Sequence, residues 1–527
     1  MRGPGQNCTT VSQSSWRPQP GTVALLAILL LGTGLRCLYA NAPLLDAHRW
    51  RQVDTAAIAR NLYEDSFNIF YPQIDWGGRH GYVESEFPIV PALTALVYMA
   101  TGPDERLGRF VAIGFSAAAI FAIYALAAEL LGQAGGRAAA FLLAISPSAV
   151  YYGRTVMPEA PMLFFSIAGL VGFVRYVRTG SRWALVAGAS AAALAWLAKP
   201  VALVIVAPIL GVAWNSRGRR VLQDRAFVIA FVSAFAIAAA WYVHAVMIYH
   251  ETGLTFGIGY PTMTYPAMYA SGPWRSFSKW STIELLTSSA FYWKMARQIY
   301  FFHLTPLGLG VAAAGWFFWR RNDRRTVPDL WLLAVAAFIL VAGKGNSNHD
   351  YYQLPLVPVA ALYFGAAAAP VFDGAVIRKH VGTGRGAALA LGTLLFGFGL
   401  LSFYFSGVVR SHFRPDNLDT PIREAGAAME RVVPADALMV VVDYGVNSPM
   451  LLYYAHRRGW SFDLPSINAE TVQNLQHFGA RYFAATDWPK LQTQRPDLKW
   501  YLELHQRVAL DRAPAKAALF DLSKRRD

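Results

Sequence analysis

Between residues 22 and 408 the chain returns repeatedly to apolar runs about as long as a bilayer is thick, and this confines it to one broad architecture. Inside hydrocarbon every backbone N–H and C=O must find a partner within the protein, so runs of this kind fold as helices. Eleven spans are placed near 22–40, 109–131, 138–152, 159–174, 183–198, 201–214, 226–249, 299–318, 329–343, 353–370 and 386–408. The shorter runs leave a range of nine to thirteen. The piece at 88–101 carries prolines at 88 and 91 and reads as a broken, partly embedded helix leading into the second span. At 55% hydrophobic and 15% charged, the composition lies outside ordinary soluble usage.

The net charge of +15 is a topology signal. Arg175, Arg178 and Arg182 share one short loop, and Arg217, Arg219, Arg220 and Arg225 the next. Arg320, Arg321, Arg324 and Arg325 form a third cluster, and Arg378, Lys379 and Arg385 a fourth. With a cytoplasmic N-terminus all four fall on the cytoplasmic side, as the distribution of lysine and arginine near span ends requires. Nucleic acid is therefore not an expected partner. Loops 41–87, 153–158, 250–298 and 344–352 and the tail after 409 then face outward, in a multi-pass protein of the cytoplasmic membrane. Residues 1–21 form a cytoplasmic tail without the apolar core of a signal peptide, so the first span reads as a retained anchor. Cys8 and Cys37 suit neither a disulfide framework nor a metal motif.

Three parts follow: the tail 1–21, a membrane domain 22–408, and an outer domain 409–527. In the last, 437–445 reads as a buried strand and 447–459 as a helix. Residues 467–480 read as a second helix, 481–488 as the next strand, and VALDRA with AKAALFDL as a closing hairpin. This is a small α/β unit. It has no glycine-rich phosphate loop, so a nucleotide site is not expected. Loop 250–298 is aromatic, with Tyr260, Tyr265, Tyr269, Trp274, Trp280, Tyr292 and Trp293. It reads equally as an interfacial belt or as a lipid- or sugar-contacting loop.

The segment 46–91 is dense in carboxylates and arginines that hydrocarbon cannot solvate, so it lies at or outside the membrane surface. Thr55 to Tyr63 reads as an amphipathic helix with Ala56, Ile58, Ala59 and Leu62 on one side. Lying flat on the bilayer, it would hold Asp46, His48, Arg49, Arg51 and Asp54 near the headgroups. Six outward positions converge: Asp46, Glu84, Glu86, Arg154, Glu159 and Lys199. Carboxylates and cations gathered where a lipid phosphate would sit point to chemistry on a lipid-linked substrate. Each position also has a plainer reading. Glu159, beside Pro158, suits a helix start and could simply cap it. Lys199 could neutralise a lipid phosphate or only snorkel. Arg49 and Arg51 could bind donor phosphate or anchor in headgroups. Of Glu84 and Glu86 only one is expected to face the site, and Glu86, next to Phe87-Pro88, is the choice. Asp350 and Tyr351 could contact the lipid phosphate or merely end a span. His244 and His303 read as satisfied core histidines.

An acid after the first span, an interfacial helix, the Glu86-Phe87-Pro88 element, an acidic second outer loop, a Lys-Pro turn and the HDYYQLPLVP segment occur in this order. Over residues 20–408 this set resembles the GT-C glycosyltransferases of the protein-mannosyltransferase and aminoarabinose-transferase kind, glycosyltransferase family 39-type. The resemblance implies a polytopic α-helical membrane protein. It implies transfer of a sugar from a polyprenyl-phosphate donor to a lipid, glycan or protein acceptor on the outer face, with inversion. It implies that Asp46 accepts a proton from the acceptor or positions it, and that Glu159 orients the acceptor or a basic partner. Arg154, Lys199 and His349 would offset charge on the departing phosphate, with Arg49, Arg51 and Tyr351 binding the same lipid end, and Glu86 and Glu84 the acceptor or sugar. No metal or nucleotide cofactor is implied. Protein mannosyltransferases often carry two adjacent acids in the first loop, whereas Ala47 follows Asp46 here, which makes Asp54 a candidate substitute. A polyprenyl-lipid flippase or transporter with an accessory outer domain is the rival. It should place ionisable groups at mid-span, where this sequence has almost none.

Overall fold

The computed structural model describes residues 20–259, 262–263, 275–276, 278–320, 323–373, 379, 385–414, 420–443 and 448–526. Tyr260, Tyr265, Tyr269 and Trp274 lie outside these, as do Arg321, Arg378, Tyr444 and Asn447.

The chain is mostly helical, and a helix stands at each of the eleven places read from the sequence, from Pro20–Arg36 to Arg385–Ser406. Among the described residues four are long and apolar enough to cross a membrane: Glu105–Leu131, Glu159–Thr179, Pro200–Gln223 and Arg225–Thr252. Ser289–His303 and Thr305–Phe318 pass together but are bent by 99°, and shorter apolar helices stand at the first, fifth, ninth, tenth and eleventh places.

Two expected spans break at identifiable residues. The run 138–152 ends as a helix at Ile145, because Pro147 holds Ser146 in an extended conformation, and a short helix Pro147–Tyr152 follows. The run 299–318 kinks where Thr305 adopts φ +60°, unusual for a β-branched residue, just before Pro306. Pro200 has the same effect on Lys199, which is extended at φ −166° and ψ 133°, so the helix Arg182–Ala198 stops there.

The loop 41–87 differs most from expectation. Its helix runs from Arg49 to Glu64 and is buried along most of its length, so it does not lie flat on a bilayer. Its apolar residues Val53, Ala56, Ala57, Ile58 and Leu62 belong to one hydrophobic cluster with the C-terminal sheet. The same cluster takes in Val90, Ala95 and Val156, so the helix is sandwiched between membrane-side elements and the outer domain. What drives its apolar side inward is a protein partner.

That partner is the α/β unit. Two two-residue hairpins precede it in the chain, β1 Gln73–Ile74 with β2 Gly81–Tyr82 and β3 Thr262–Met263 with β4 Arg275–Ser276. The main sheet contains β5 Leu438–Val442, β6 Gly459–Phe462, β7 Ala480–Ala485, β8 His505–Val508 and β9 Ala518–Arg525, in the order β6-β5-β7-β9-β8. β5 pairs in parallel with β6 and β7, and β9 runs antiparallel to β7 and β8. The expected strands and closing hairpin are present. The strand β6 and the helices Trp488–Gln494 and Pro496–Glu503 went unread, being short and flanked by aromatic residues. The first loop extends the sheet edge: Gly78 N–H donates to the Gly459 carbonyl at 2.8 Å, and Gly459 N–H to the Asp75 carbonyl at 3.0 Å. A Cβ at Gly459 would sit 1.8 Å from the Met439 carbonyl oxygen, so no side chain fits there.

Candidate active site

The six converging positions are all buried, and the structure sorts them into separate groups. Asp46 lies between two guanidiniums. Its carboxylate accepts from Arg154 and, at 3.2 Å, from Arg109, and Gln52 Nε2 also donates to it. Arg154 and Asp46 have fully buried side chains, as does Arg109. The guanidiniums in turn hold the chain entering the loop: Arg154 donates to the Tyr39 carbonyl at 2.8 Å and Arg109 to that of Pro43 at 3.0 Å. Burial, with Arg109 beside it, pulls Arg154 down to about 10. In this arrangement the Asp46 carboxylate is a hub that ties the first loop to the helix Glu105–Leu131 and to the turn after Pro147–Tyr152, with no face open to an acceptor. Arg109 was missed in the sequence. An arginine inside an apolar run was the signal for it.

Beside this hub Lys199 pairs with Glu159, and Arg51 with Glu86. The Lys199 ammonium sits 4.2 Å from the Tyr351 ring centroid and 5.2 Å from that of Tyr352. Arg51 stacks 4.0 Å over Phe256. Burial opposes ionisation of Glu86, but Arg51, Lys199 and Lys279 together hold it below the usual carboxylate range. Lys279, from the aromatic loop 250–298, is pulled by burial down to about 8. Among the described residues Glu159 Oε2, Arg51 Nη1 and His349 Nδ1 are buried without a hydrogen-bond partner. Buried polar atoms seldom stay unsatisfied, so this cluster has bonding capacity left for a ligand.

Residues two apart share a face on an extended strand, yet Glu84 and Glu86 take separate partners, so the segment is not a regular strand there. Glu84 accepts from Thr255 Oγ1 and from the Gly259 N–H, and burial pushes its carboxyl up to about 7. Between Glu84 and Pro200 runs a groove of about 270 Å³ lined by Trp196, Leu203, Phe235 and Tyr242. Asp54 does not join Asp46: the Trp76 indole N–H donates to it at 2.9 Å, on the side where Trp76 pairs with Gly459 of the outer sheet. Arg49 is half-buried in the first turn of the same helix. His303 is a core histidine only half satisfied, with Nδ1 2.9 Å from Ser148 Oγ and Nε2 buried without a hydrogen-bond partner, and His244 is half-buried and bonds the Phe70 carbonyl at 2.8 Å.

A third group centres on Asp350. His48 Nε2 lies 3.1 Å from its Oδ1 and His412 Nε2 3.0 Å from its Oδ2, while the Tyr152 hydroxyl donates to Oδ1. Burial works against this carboxylate, yet the hydrogen bonds from His412 and His48 hold it well below the carboxylate range. His349 stacks on Tyr351 at 5.1 Å. Tyr152 and His412 were not singled out in the sequence, because their partners lie far away along the chain. Among the described residues no three His, Cys, Asp or Glu side chains are arranged to hold a metal ion.

Comparison with solved structures gives this architecture a name. ArnT from Cupriavidus metallidurans, in the apo state, superposes with a TM-score of 0.64 over 95% of this chain and 98% of its own, at 13% identity. The chain has the GT-C fold. The same ArnT bound to undecaprenyl phosphate gives 0.60 at 12% identity, over 95% and 97% of the two chains. The GT-C oligosaccharyltransferase of Archaeoglobus fulgidus, in the apo form, gives 0.57 at 12% identity, over 94% of this chain and 74% of its own. By sequence, residues 85–244 match the family model described as dolichyl-phosphate-mannose-protein mannosyltransferase. That segment holds Glu86, Arg109, Arg154, Glu159 and Lys199, so the matched part of the GT-C fold carries most of the charged cluster. No curated protein matches the chain in sequence.

Proposed function

We propose that this chain is a membrane glycosyltransferase that moves a sugar from a polyprenyl-phosphate donor to a lipid, glycan or protein acceptor. The observation that carries the reading is the buried Lys199–Glu159 and Arg51–Glu86 cluster, with unsatisfied polar atoms, beside an apolar groove. The groove would take the first prenyl units. Lys199, Arg51 and Lys279, with His349 and Tyr351 around them, would hold the phosphate. Cations fixed there favour the transition state, because negative charge grows on the phosphate oxygens as the bond to the sugar breaks. Glu159 and Glu86 keep those cations in place and present carboxylate oxygens to the sugar or acceptor, while Glu84 closes the groove end. Asp46 positions the acceptor side by fixing Arg109, Arg154 and the loop. The eleven helices would span the cytoplasmic membrane, with the N-terminus inside, the α/β domain outside and transfer on the outer face with inversion. A metal ion is not part of this reading.

The fold similarity to ArnT and the oligosaccharyltransferase supports this, since one was solved with undecaprenyl phosphate and the other with a dolichol-phosphate. The test is mass spectrometry of envelope glycolipids and glycans from cells lacking the chain, complemented with the native or the Asp46→Asn form. The expected result is loss of one sugar substituent, restored by the native chain and not by Asp46→Asn, which also loses stability because Arg109 and Arg154 are left without their buried counter-charge. Unchanged glycans with accumulated polyprenyl lipid would overturn the reading in favour of a flippase.

A further inference from the structure

The transfer proposed above leaves one chemical requirement unmet. If the acceptor is a hydroxyl, some group must take its proton as the new bond forms, and Asp46 is enclosed by two arginines. We infer that His48, held by Asp350, is the proton acceptor for a hydroxyl-bearing acceptor. The inference rests on the glycosyltransferase reading and adds the class of acceptor to it.

Three observations on the same residue support the assignment. First, His48 has the arrangement of an oriented base. Its Nε2 faces the Asp350 carboxylate at 3.1 Å, which fixes the tautomer with a proton on Nε2 and leaves Nδ1 as the basic nitrogen. Such a carboxylate also stabilises the imidazolium that forms when Nδ1 takes a proton. Second, the chain bends to place it. His48 sits at φ 56° and ψ 33°, in the left-handed region, immediately before the helix Arg49–Glu64, and makes no capping hydrogen bond there. A non-glycine residue keeps such a conformation only where its surroundings impose it, and here they aim the ring at Asp350. Third, it is placed and exposed as a base should be. Its ring is 4.9 Å from that of Tyr351, on which the Lys199 ammonium sits, so it is one aromatic ring from the proposed phosphate site. Its side chain keeps 18% exposure, where that of Asp46 keeps none.

The step balances without a further reactant. The acceptor O–H proton passes to His48 Nδ1 as the acceptor oxygen bonds to the anomeric carbon. The bond from that carbon to the phosphate oxygen breaks with its electron pair, and polyprenyl phosphate leaves. The imidazolium then returns its proton to solvent. The groups around the ring are Tyr152 from the short helix Pro147–Tyr152, His349, Asp350 and Tyr351 from the loop before the helix Leu356–Ala368, and His412 across Asp350. Lys199 lies behind Tyr351.

The experiment uses the full-length protein in nanodiscs. Undecaprenyl-phosphate mannose and undecaprenyl-phosphate arabinose serve as donor probes, and membranes from cells lacking the chain supply the acceptor. His48→Gln should lose about 100-fold or more in rate, while melting temperature and donor-lipid binding stay native. Asp350→Asn should also lose rate, because the imidazolium has lost its counter-charge. Added imidazole should restore part of the activity of His48→Gly. If His48→Gln keeps the native rate, the base assignment falls and the glycosyltransferase reading stands. If His48→Gln loses rate together with melting temperature and donor binding, and imidazole rescues nothing, His48 is structural and the assignment again falls. If the native chain transfers no sugar from either donor, nor from the polyprenyl-phosphate lipids extracted from its own cells, the glycosyltransferase reading falls and takes this inference with it.

Discussion

The two ends of the helix bundle carry the same kinds of charged residue in opposite physical states. Near the first loop, Asp46, Arg109, Arg154, Glu159 and Lys199 pair with one another almost out of contact with solvent. At the other end Arg175 and Arg178 pair with Glu129, with side chains 50%, 48% and 25% exposed. Exposed pairs gain little and are screened by salt. Buried pairs lose several kcal/mol of hydration per ion, and well-packed hydrophobic residues often serve stability as well. Folding therefore does not call for the first set. A cluster that the fold could replace with leucine and methionine, yet keeps charged, is where a charged ligand is to be sought.

That contrast can be broken most sharply at Lys199. Lys199→Met leaves the Glu159 carboxylate, fully buried, without its cation, and should lower stability by about 3–5 kcal/mol. The double variant Lys199→Met/Glu159→Leu removes both charges and should recover most of the melting temperature, while sugar transfer stays absent. A double variant that regained transfer would show the pair to be structural after all, and the difference between the two ends would lose its functional meaning.

How much of this could be read from the sequence follows the same division. The helix positions were legible because hydrocarbon imposes one rule on every residue of a span. Glu159 at its helix start and Lys199 before Pro200 were legible for the same reason, being set by local backbone chemistry. The expected helix Thr55–Tyr63 was found with its apolar side correct, but that side was assigned to lipid. A stripe of Ala56, Ile58 and Leu62 looks the same whether a bilayer or a β-sheet covers it. Arg109 with Asp46, and Asp350 with its two histidines, join residues 63, 302 and 62 positions apart. No local pattern encodes such pairings. They arise when the first loop is clamped between the bundle and the outer domain, a clamp that Arg60 reinforces through Asp75 at 2.6 Å and the Tyr453 carbonyl at 3.0 Å.

Glu84 sharpens the comparison through pH. Burial pushes its carboxyl from the usual 4.5 to about 7. Between those values the unfolded chain has released the proton while the folded chain still holds it. Stability should therefore fall as pH rises from 4.5 to 7 and level off above, by an amount on the order of 3 kcal/mol. Glu84→Gln should flatten this part of the profile, measured as the difference in melting temperature between native and variant across that window. A difference that stays constant with pH would mean that Glu84 is ionised throughout, held by the Thr255 hydroxyl and the Gly259 N–H.

The smallest effect is expected at the far end, and its smallness is informative. Arg178→Ala removes one partner of Glu129, but Arg175 remains 2.9 Å away and water reaches all three side chains. The loss should be under about 1 kcal/mol and should shrink further in high salt. Sugar transfer should be unchanged. Measured beside Lys199→Met in the same nanodiscs, the pair of variants sets two nominal Arg/Lys–Glu bridges of one protein against each other. If Arg178→Ala cost as much as Lys199→Met, burial would not be what separates the two ends, and the charged cluster near the first loop would need another explanation.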